Sequence, residues 1–159
     1  MAIATFGAGC FWGVEYFFRQ VPGVINATSG YMGGGDNAVT YEQVKKGTTG
    51  HAEVVQVEYD ASQVSYDDLL QVFWKNHNPT SLNQQGADMG TQYRSVVFFH
   101  DKEQKQQAEA SKLVLMRSGK WGLRQIVTEI VPAQTFHKAE EYHQDYIRKN
   151  DLPSCHIEY

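Results

Sequence analysis

The chain has 159 residues, a length that suits one domain, or one domain with a tail. Hydrophobic residues make up 42% and charged residues 20%, so a buried core is expected and disorder is not. The formal net charge of −4, without any run of Lys or Arg, argues against nucleic-acid binding. Two cysteines are too few for a disulfide scaffold or a four-thiolate zinc site.

No stretch of the sequence approaches the roughly 18 consecutive apolar residues of a membrane span. The uncharged N-terminal segment lacks the basic and leucine-rich regions of a signal peptide, although Ala8-Gly9-Cys10 has a faint likeness to a lipoprotein cleavage site. We therefore expect a cytoplasmic protein without membrane association. In that compartment thiols are more often catalytic or metal-binding than structural.

Hydrophobic periodicity and turn residues predict alternating strands and helices. In chain order, the predicted strands are Ile3–Phe6, Val24–Tyr31, Ala52–Asp60, Tyr93–Phe99 and Ile126–Val131. The predicted helices are Trp12–Phe18, Thr40–Val44, Val64–Asn76, Asp101–Ser118 and Ala139–Arg148. A long polar loop, Asn78–Gly90, has no predicted structure, and such loops are often functional. This order predicts an α/β or α+β domain at 1–149 with a small mixed sheet, followed by a mobile tail at 150–159.

Cys10 is the first candidate for chemistry because it follows a strand and two glycines and precedes a helix. A helix N-terminus favours a thiolate over a thiol, and glycines allow the sharp turn that leaves the sulfur accessible. The alternative is a buried, inert cysteine. The adjacent Phe11 and Trp12 either fill the helix core or form an apolar cage beside the sulfur.

Glu53 shares a strand face with Val55, Val57 and Tyr59, so its carboxyl is expected on the buried side of the sheet. Burial disfavours the charged carboxylate and raises its pKa, which suits a general acid at neutral pH. The alternative is a residue at the strand end that points into solvent.

Several polar residues lie next to loops or at strand ends. Tyr31, Tyr41 and Tyr93 are there for packing, or they donate hydrogen bonds to a polar oxygen. Asp88 forms a turn, or it orients a water or a polar group of a substrate. The histidines do not have the spacing of a metal site, and apart from His51, His137 and His143 we expect them on the surface. Neither a metal nor another cofactor is expected.

Cys155 lies four residues from the end of the sequence. An exposed thiol on a mobile tail could attack a sulfenic acid on another cysteine and form a disulfide.

Several segments together resemble the peptide methionine sulfoxide reductase A family. They follow in the family's order and approximate spacing over nearly the whole chain. These segments are Gly9-Cys10-Phe11-Trp12-Gly13, Gly30-Tyr31-Met32-Gly33-Gly34, Thr40-Tyr41, Gly50-His51-Ala52-Glu53, Gly86-Ala87-Asp88, Gly90-Thr91-Gln92-Tyr93-Arg94-Ser95 and Tyr142-His143-Gln144-Asp145-Tyr146. The resemblance implies a two-layer α/β sandwich with a ferredoxin-like centre.

The resemblance also implies a role for each matching residue. Cys10 corresponds to the nucleophile, Glu53 to the general acid, and Tyr41 and Tyr93 to the hydroxyls that bind the sulfoxide oxygen. Three further residues correspond to substrate-binding positions: Phe11 and Trp12 for the methyl group, and Asp88 for a water or the substrate backbone. Cys155 corresponds to a resolving cysteine. The further recycling cysteine of longer members is absent, so a direct Cys10–Cys155 disulfide is expected.

These roles imply reduction of methionine S-sulfoxide, free or in proteins, with a dithiol such as thioredoxin reducing the disulfide. A monomer is expected. Two alternatives from other classes are a thiol peroxidase that uses both cysteines, and a binding module in which they form a structural disulfide. The apolar cage and the buried carboxyl argue against the peroxidase. Ordinary reactivity of Cys10 would favour the structural disulfide.

Overall fold

The computed structural model describes residues 2–153 and residue 159, so Cys155 lies outside the described residues. The described strands are β1 Ala2–Ala8, β2 Val24–Met32, β3 Ala52–Tyr59, β4 Gln84–Gln85, β5 Asp88–Met89, β6 Ser95–Phe99, β7 Glu129–Pro132 and β8 His137–Lys138. The described helices are α1 Phe11–Arg19, α2 Tyr41–Lys45, α3 Tyr66–Lys75, α4 Lys102–Arg117 and α5 Tyr146–Lys149. Short 3-10 turns lie at Thr91–Tyr93 and Glu141–His143.

Six of the described strands form one sheet in the order β7-β6-β1-β3-β2-β8. The β6–β7 pair is parallel and the other neighbouring pairs are antiparallel. Helix α4 connects β6 to β7, as a parallel pair requires a crossover rather than a tight turn. Strands β4 and β5 form a separate hairpin. The mixed α/β architecture with a mixed sheet is therefore confirmed.

Capping side chains in the sequence explain where two of the long helices begin. Before α3, the Ser65 hydroxyl accepts a hydrogen bond from the Asp68 N–H at 3.0 Å, and the Asp68 carboxylate accepts one from the Ser65 N–H at 3.1 Å. Before α4, the Asp101 carboxylate accepts a bond from the Gln104 N–H at 2.8 Å. These bonds satisfy N–H groups that have no partner inside the helix.

The sheet buries different sets of side chains on its two faces. One face carries Phe6 and Val57 and packs against α1, α3 and α4, with the Phe6 ring centroid 5.0 Å from Phe18 and 5.2 Å from Phe73. The opposite face carries a smaller cluster that includes Val54, Val96 and Phe98 and is covered by Phe136 and its neighbours. The functional carboxyl predicted on β3 therefore points towards the helices. No helix in the described ranges is long and apolar enough to cross a membrane.

The predicted helix Ala139–Arg148 is wrong, because the structure divides it into a 3-10 turn and the short helix α5. Asp145 separates the two pieces with a φ of 55°, in the left-handed region. Its N–H donates a hydrogen bond to the Glu15 carboxylate of α1 at 2.7 Å. A continuous helix would need that N–H for its own backbone ladder, so the contact with α1 replaces helical hydrogen bonding here.

Other boundaries also differ from the predictions. The polar loop Asn78–Gly90 contains the β4–β5 hairpin, in which Gln85 pairs with Asp88 across a turn. The predicted strand Ile126–Val131 begins only at Glu129, because the Val127 N–H bonds to the Pro79 carbonyl at 2.8 Å instead of to a strand.

Glu15 offers a test of how strongly this packing stabilises the fold. Its side chain is 1% exposed, forms an ion pair with Arg19 at 2.8 Å and accepts the Ser29 hydroxyl at 2.7 Å. We expect Glu15→Ala to lower the free energy of unfolding by about 3 kcal/mol, because it leaves buried donors without an acceptor. Urea unfolding measures this loss. Glu141→Ala is the control, since that side chain is 80% exposed; an equal loss in both variants would contradict the prediction.

Candidate active site

Cys10 lies at the junction of β1 and α1, where it forms the N-cap of the helix. Gly9 has a φ of +101°, a conformation that side chains rarely adopt, and this turn directs the chain from strand into helix. Cys10 is half-buried. The positive end of the helix dipole and the nearby N–H groups favour a thiolate at this position.

Glu53 lies near the start of β3 and is 1% exposed. Its carboxyl Oε1 accepts a hydrogen bond from the Phe11 N–H at 3.1 Å. Because Phe11 is the first residue of α1, the carboxyl lies at the same helix N-terminus as Cys10. The structure therefore brings together the two residues that the sequence singled out for nucleophilic and acid chemistry.

Tyr41 and Tyr93 face this pair from α2 and from the 3-10 turn before β6. Burial, followed by the charges of Glu53 and Cys10, raises the pKa of the Tyr41 hydroxyl to about 12. Burial, followed by the charge of Glu53, also raises the pKa of the Tyr93 hydroxyl, and Asp88 and Cys10 add to that shift. Both hydroxyls therefore stay protonated at neutral pH and can donate hydrogen bonds.

Phe11 and Trp12 form an aromatic wall behind Cys10. Phe11 is fully buried, with its ring centroid 5.6 Å from Tyr31 and 6.3 Å from Tyr41. Trp12 is half-buried and stacks on Tyr146, with 3.9 Å between ring centroids and 10° between ring planes. Phe11 thus provides a buried floor, while Trp12 presents aromatic surface at the edge of the site.

Asp88 is exposed on β5, in the hairpin at the rim of the site. Its charge acts on Tyr93, so it lies within electrostatic range of the central residues. The other predicted catalytic residue, Cys155, lies outside the described residues. Within 2–153 and 159, no three His, Cys, Asp or Glu side chains are grouped so as to hold a metal ion.

The sequence profile described as "Peptide methionine sulfoxide reductase" matches residues 2–159. The chain belongs to the peptide methionine sulfoxide reductase family. It is 58% identical over 152 residues to the peptide methionine sulfoxide reductase MsrA of Geobacter sulfurreducens, a match that covers 96% of this chain and 93% of the relative. It is 56% identical over 154 residues to the MsrA of Methanothermobacter thermautotrophicus, covering 97% and 90% of the two chains.

Several solved structures are similar to the fold of this chain. Reduced Mxr1 of Saccharomyces cerevisiae is 36% identical with a TM-score of 0.88, over 96% of this chain and 87% of that one. Methionine sulfoxide reductase A of Corynebacterium diphtheriae is 36% identical with a TM-score of 0.82, over 96% and 76%. Mxr1 in complex with Trx2 is 24% identical with a TM-score of 0.65, over 99% and 88%.

The expectation that the histidines other than His51, His137 and His143 lie on the surface is wrong for His77, whereas His100 is exposed. His51, His77 and His143 are each at most 2% exposed. His143 contributes directly to the aromatic wall: its Nδ1 accepts a hydrogen bond from the Trp12 indole N–H at 2.9 Å. Its ring centroid is 4.3 Å from that of Tyr41. The sequence signal for this role is the segment Tyr142-His143-Gln144-Asp145-Tyr146, which carries part of the family resemblance but gives no sign of burial.

Glu140 is the second residue near the site that sequence reasoning missed. One carboxylate oxygen accepts the Tyr31 hydroxyl at 2.9 Å, and the other accepts the Tyr41 N–H at 3.1 Å. Burial alone would raise the pKa of Glu140, but hydrogen bonds from the protein and the nearby His143 together lower it. The ionised Glu140 thereby fixes the backbone that carries Tyr41. No local pattern in the sequence distinguishes it from a surface glutamate.

His143 should make stability depend on pH. Burial lowers the pKa of its folded-state imidazole from the usual 6.5, only partly offset by Glu140. Below about pH 6.5 the unfolded chain therefore binds more protons than the folded protein does. The stability that is present above this pH is lost as the pH falls through the folded-state pKa of His143. We expect urea unfolding to show this decline between about pH 7.5 and about pH 5.5.

The variant His143→Gln should give a shallower decline over the same range. His51 and His100, whose pKa values burial also lowers, keep their contribution in this variant. The comparison therefore isolates the share of His143. An unchanged slope would show that the imidazole does not titrate differently in the folded and unfolded states.

Proposed function

We propose that this chain is a thiol-dependent reductase that converts methionine S-sulfoxide, free or in proteins, to methionine. The observation that carries the proposal is the buried Glu53 carboxyl, held by the Phe11 N–H at the helix terminus that bears Cys10. This placement supplies an acid beside a nucleophile. Membership of the reductase family gives the reaction class, and it favours the reductase over the peroxidase and the binding module.

Charge repulsion supports the assignment of nucleophile and acid. A thiolate and a carboxylate at one shielded helix terminus repel each other. The state in which the two groups together carry one proton and one negative charge is therefore favoured. The helix dipole favours the charge on Cys10, and burial at Glu53 favours the neutral acid. We propose that the pair reacts as a Cys10 thiolate and a Glu53 carboxylic acid.

The reaction follows from these two groups. The Cys10 thiolate attacks the sulfoxide sulfur, and Glu53 donates a proton to the sulfoxide oxygen. Tyr41 and Tyr93 donate hydrogen bonds to that oxygen while negative charge develops on it. The protonated oxygen then moves from the methionine sulfur to the Cys10 sulfur while the bond between the two sulfurs breaks, so methionine leaves and Cys10 remains as a sulfenic acid.

The remaining residues are assigned to binding. Phe11 and Trp12 are assigned to the apolar site for the methyl group of the substrate, with Trp12 presenting aromatic surface and the fully buried Phe11 lying beneath it. Asp88, at the exposed rim, holds a water or a backbone N–H of the substrate. No cofactor is required, because each electron pair comes from a thiol.

Turnover is proposed to finish through Cys155. Its thiolate attacks the Cys10 sulfenic acid, which forms the S–S bond and releases the oxygen as water. An external dithiol then reduces the disulfide by exchange and becomes a disulfide itself. Thioredoxin is the proposed reductant, in line with the fold relative whose structure contains Trx2.

The proposal also covers the fold of the core, the domain bounds, and the localisation and oligomeric state. Strands β1, β2, β3 and β6 with helices α1 and α3 follow the order βαββαβ, with the sheet order β6-β1-β3-β2, which supports a two-layer, ferredoxin-like core. We place the catalytic domain at 1–149 and a C-terminal tail that carries Cys155 at 150–159. We further propose a cytoplasmic monomer, since that compartment maintains the thiols and the reductant.

Glu53→Gln tests the acid. The amide keeps the shape of the side chain but has no acidic proton to give, so we expect the rate of sulfoxide reduction to fall by about 10²–10⁴-fold. Methionine production from a sulfoxide-containing peptide with dithiothreitol measures it. Glu58→Gln is the control, because it makes the same change on the same strand in a half-buried position. A near-wild-type rate for Glu53→Gln would remove Glu53 from this role.

Cys155→Ser tests the resolving thiol. We expect one methionine per chain at the normal rate, followed by a stalled enzyme with a sulfenic acid on Cys10 that a dimedone probe can trap. Mass spectrometry of the trapped adduct gives its position. Sustained turnover with thioredoxin in this variant would show that Cys155 does not resolve the intermediate.

A further inference from the structure

The carboxylate of Glu140 connects β2 to α2. Glu140 lies between β8 and the 3-10 turn Glu141–His143. One carboxylate oxygen accepts the hydroxyl of Tyr31, on β2, at 2.9 Å, and the other accepts the N–H of Tyr41, the first residue of α2, at 3.1 Å. Hydrogen bonds to a charged acceptor are stronger than those between neutral groups. These two bonds therefore hold the start of α2 against β2.

Tyr41 belongs to an element that has little stability of its own. Helix α2 is five residues long with Val44 as its buried residue, and helices this short are marginal without tertiary contacts. The capping box of Thr40 and Gln43 closes the first turn, but it joins residues of the same segment. The position of the Tyr41 backbone therefore depends on contacts from other elements, and the Glu140 carboxylate provides such a contact at its N–H.

The same carboxylate connects Tyr41 to the strands that carry the acid. Tyr31 pairs directly with Glu53 across β2 and β3, so the two side chains project from the same face of the sheet. The Tyr31 ring centroid also lies 5.6 Å from that of Phe11, whose N–H holds the Glu53 carboxyl. A series of contacts thus runs from Glu53 through Tyr31 and Glu140 to Tyr41. In this series, Glu140 joins the strand pair of the acid to the segment that carries Tyr41.

The ring contacts of Tyr41 restrain its position less strictly than the hydrogen bond does. Its ring centroid is 4.3 Å from that of His143 and 6.3 Å from that of Phe11. Aromatic packing tolerates a range of offsets, whereas a hydrogen bond fixes both a distance and an angle. A displacement of about 1 Å in a group that acts on the reacting atoms can cost roughly 10²-fold in rate. The backbone contact at Tyr41 is therefore expected to affect the rate.

We propose that Glu140 is a positioning residue for sulfoxide reduction, because it holds the Tyr41 hydroxyl where the substrate oxygen binds beside Glu53. The proposal rests on the proposed function of Cys10, Glu53 and Tyr41. Glu140 exchanges neither a proton nor an electron in this step, and its effect passes through Tyr41 alone. Because the hydroxyl acts on charge that develops in the transition state, Glu140 affects the maximal rate of reduction rather than the affinity for the substrate.

Single-turnover rates of methionine formation from a sulfoxide-containing peptide test the proposal. In Glu140→Ala, we expect the maximal rate to fall by about ten- to hundredfold, while the half-saturating peptide concentration stays within about twofold. Glu140→Gln should stay within about threefold of the wild type, because the amide oxygen can accept the Tyr41 N–H and the amide NH₂ can donate to the Tyr31 hydroxyl. In a Tyr41→Phe background, Glu140→Ala should cost less than about twofold, since the hydroxyl through which Glu140 acts is gone.

Glu141→Ala is the matched control, because it makes the same change at the next residue, whose side chain is 80% exposed. Urea unfolding shows whether each variant is folded. If Glu140→Ala does not fold, Tyr31→Phe replaces it: this variant removes one donor to Glu140 and should slow the reaction only when the Tyr41 hydroxyl is present. Equal losses in Glu140→Gln and Glu140→Ala, or independent costs of Glu140→Ala and Tyr41→Phe, would overturn the proposal. A wild-type chain that forms no methionine would instead contradict the proposed function, and with it the role of Glu140.

Discussion

The hydrogen bond from the Phe11 N–H to the Glu53 carboxyl is the contact on which the site depends. A carboxyl that is removed from water needs a polar partner, and the open N-terminus of α1 offers one. The sheet register sets this distance, because β1 and β3 are adjacent and Phe6 pairs with Val55. The turn at Gly9 then places Cys10 beside the acid. One contact therefore fixes nucleophile, acid and helix relative to one another.

A second layer of buried polar groups holds the residues that surround this pair. Glu15 takes the Asp145 N–H, Glu140 takes the Tyr41 N–H, and His143 takes the indole N–H of Trp12. Each of these hydrogen bonds joins two different elements. The segment after β8 has an irregular backbone, but its hydrogen-bond partners fix its position. The irregular backbone of this segment places several polar groups against the aromatic wall.

Local sequence patterns were sufficient to predict two features of the site. The alternation of β3 placed Glu53 on the helix-facing side, and the glycines before Cys10 indicated a strand-to-helix turn. Long-range contacts were beyond such patterns: the helix predicted around Asp145 is interrupted by a carboxylate that is 130 residues away in the sequence. His143 was missed for the same reason, because its burial depends on Trp12 and Tyr41, which no local periodicity connects to it. Glu140 looks like any surface glutamate until the fold is known.

The β4–β5 hairpin carries Asp88 to the rim without adding a strand to the main sheet. Its length and composition can therefore change with little cost to folding, since loop closure depends only weakly on length and surface connections tolerate insertions. The chemical centre, by contrast, is built into the register of the sheet. This division lets evolution adjust which polypeptides approach the site while the reacting atoms stay in place.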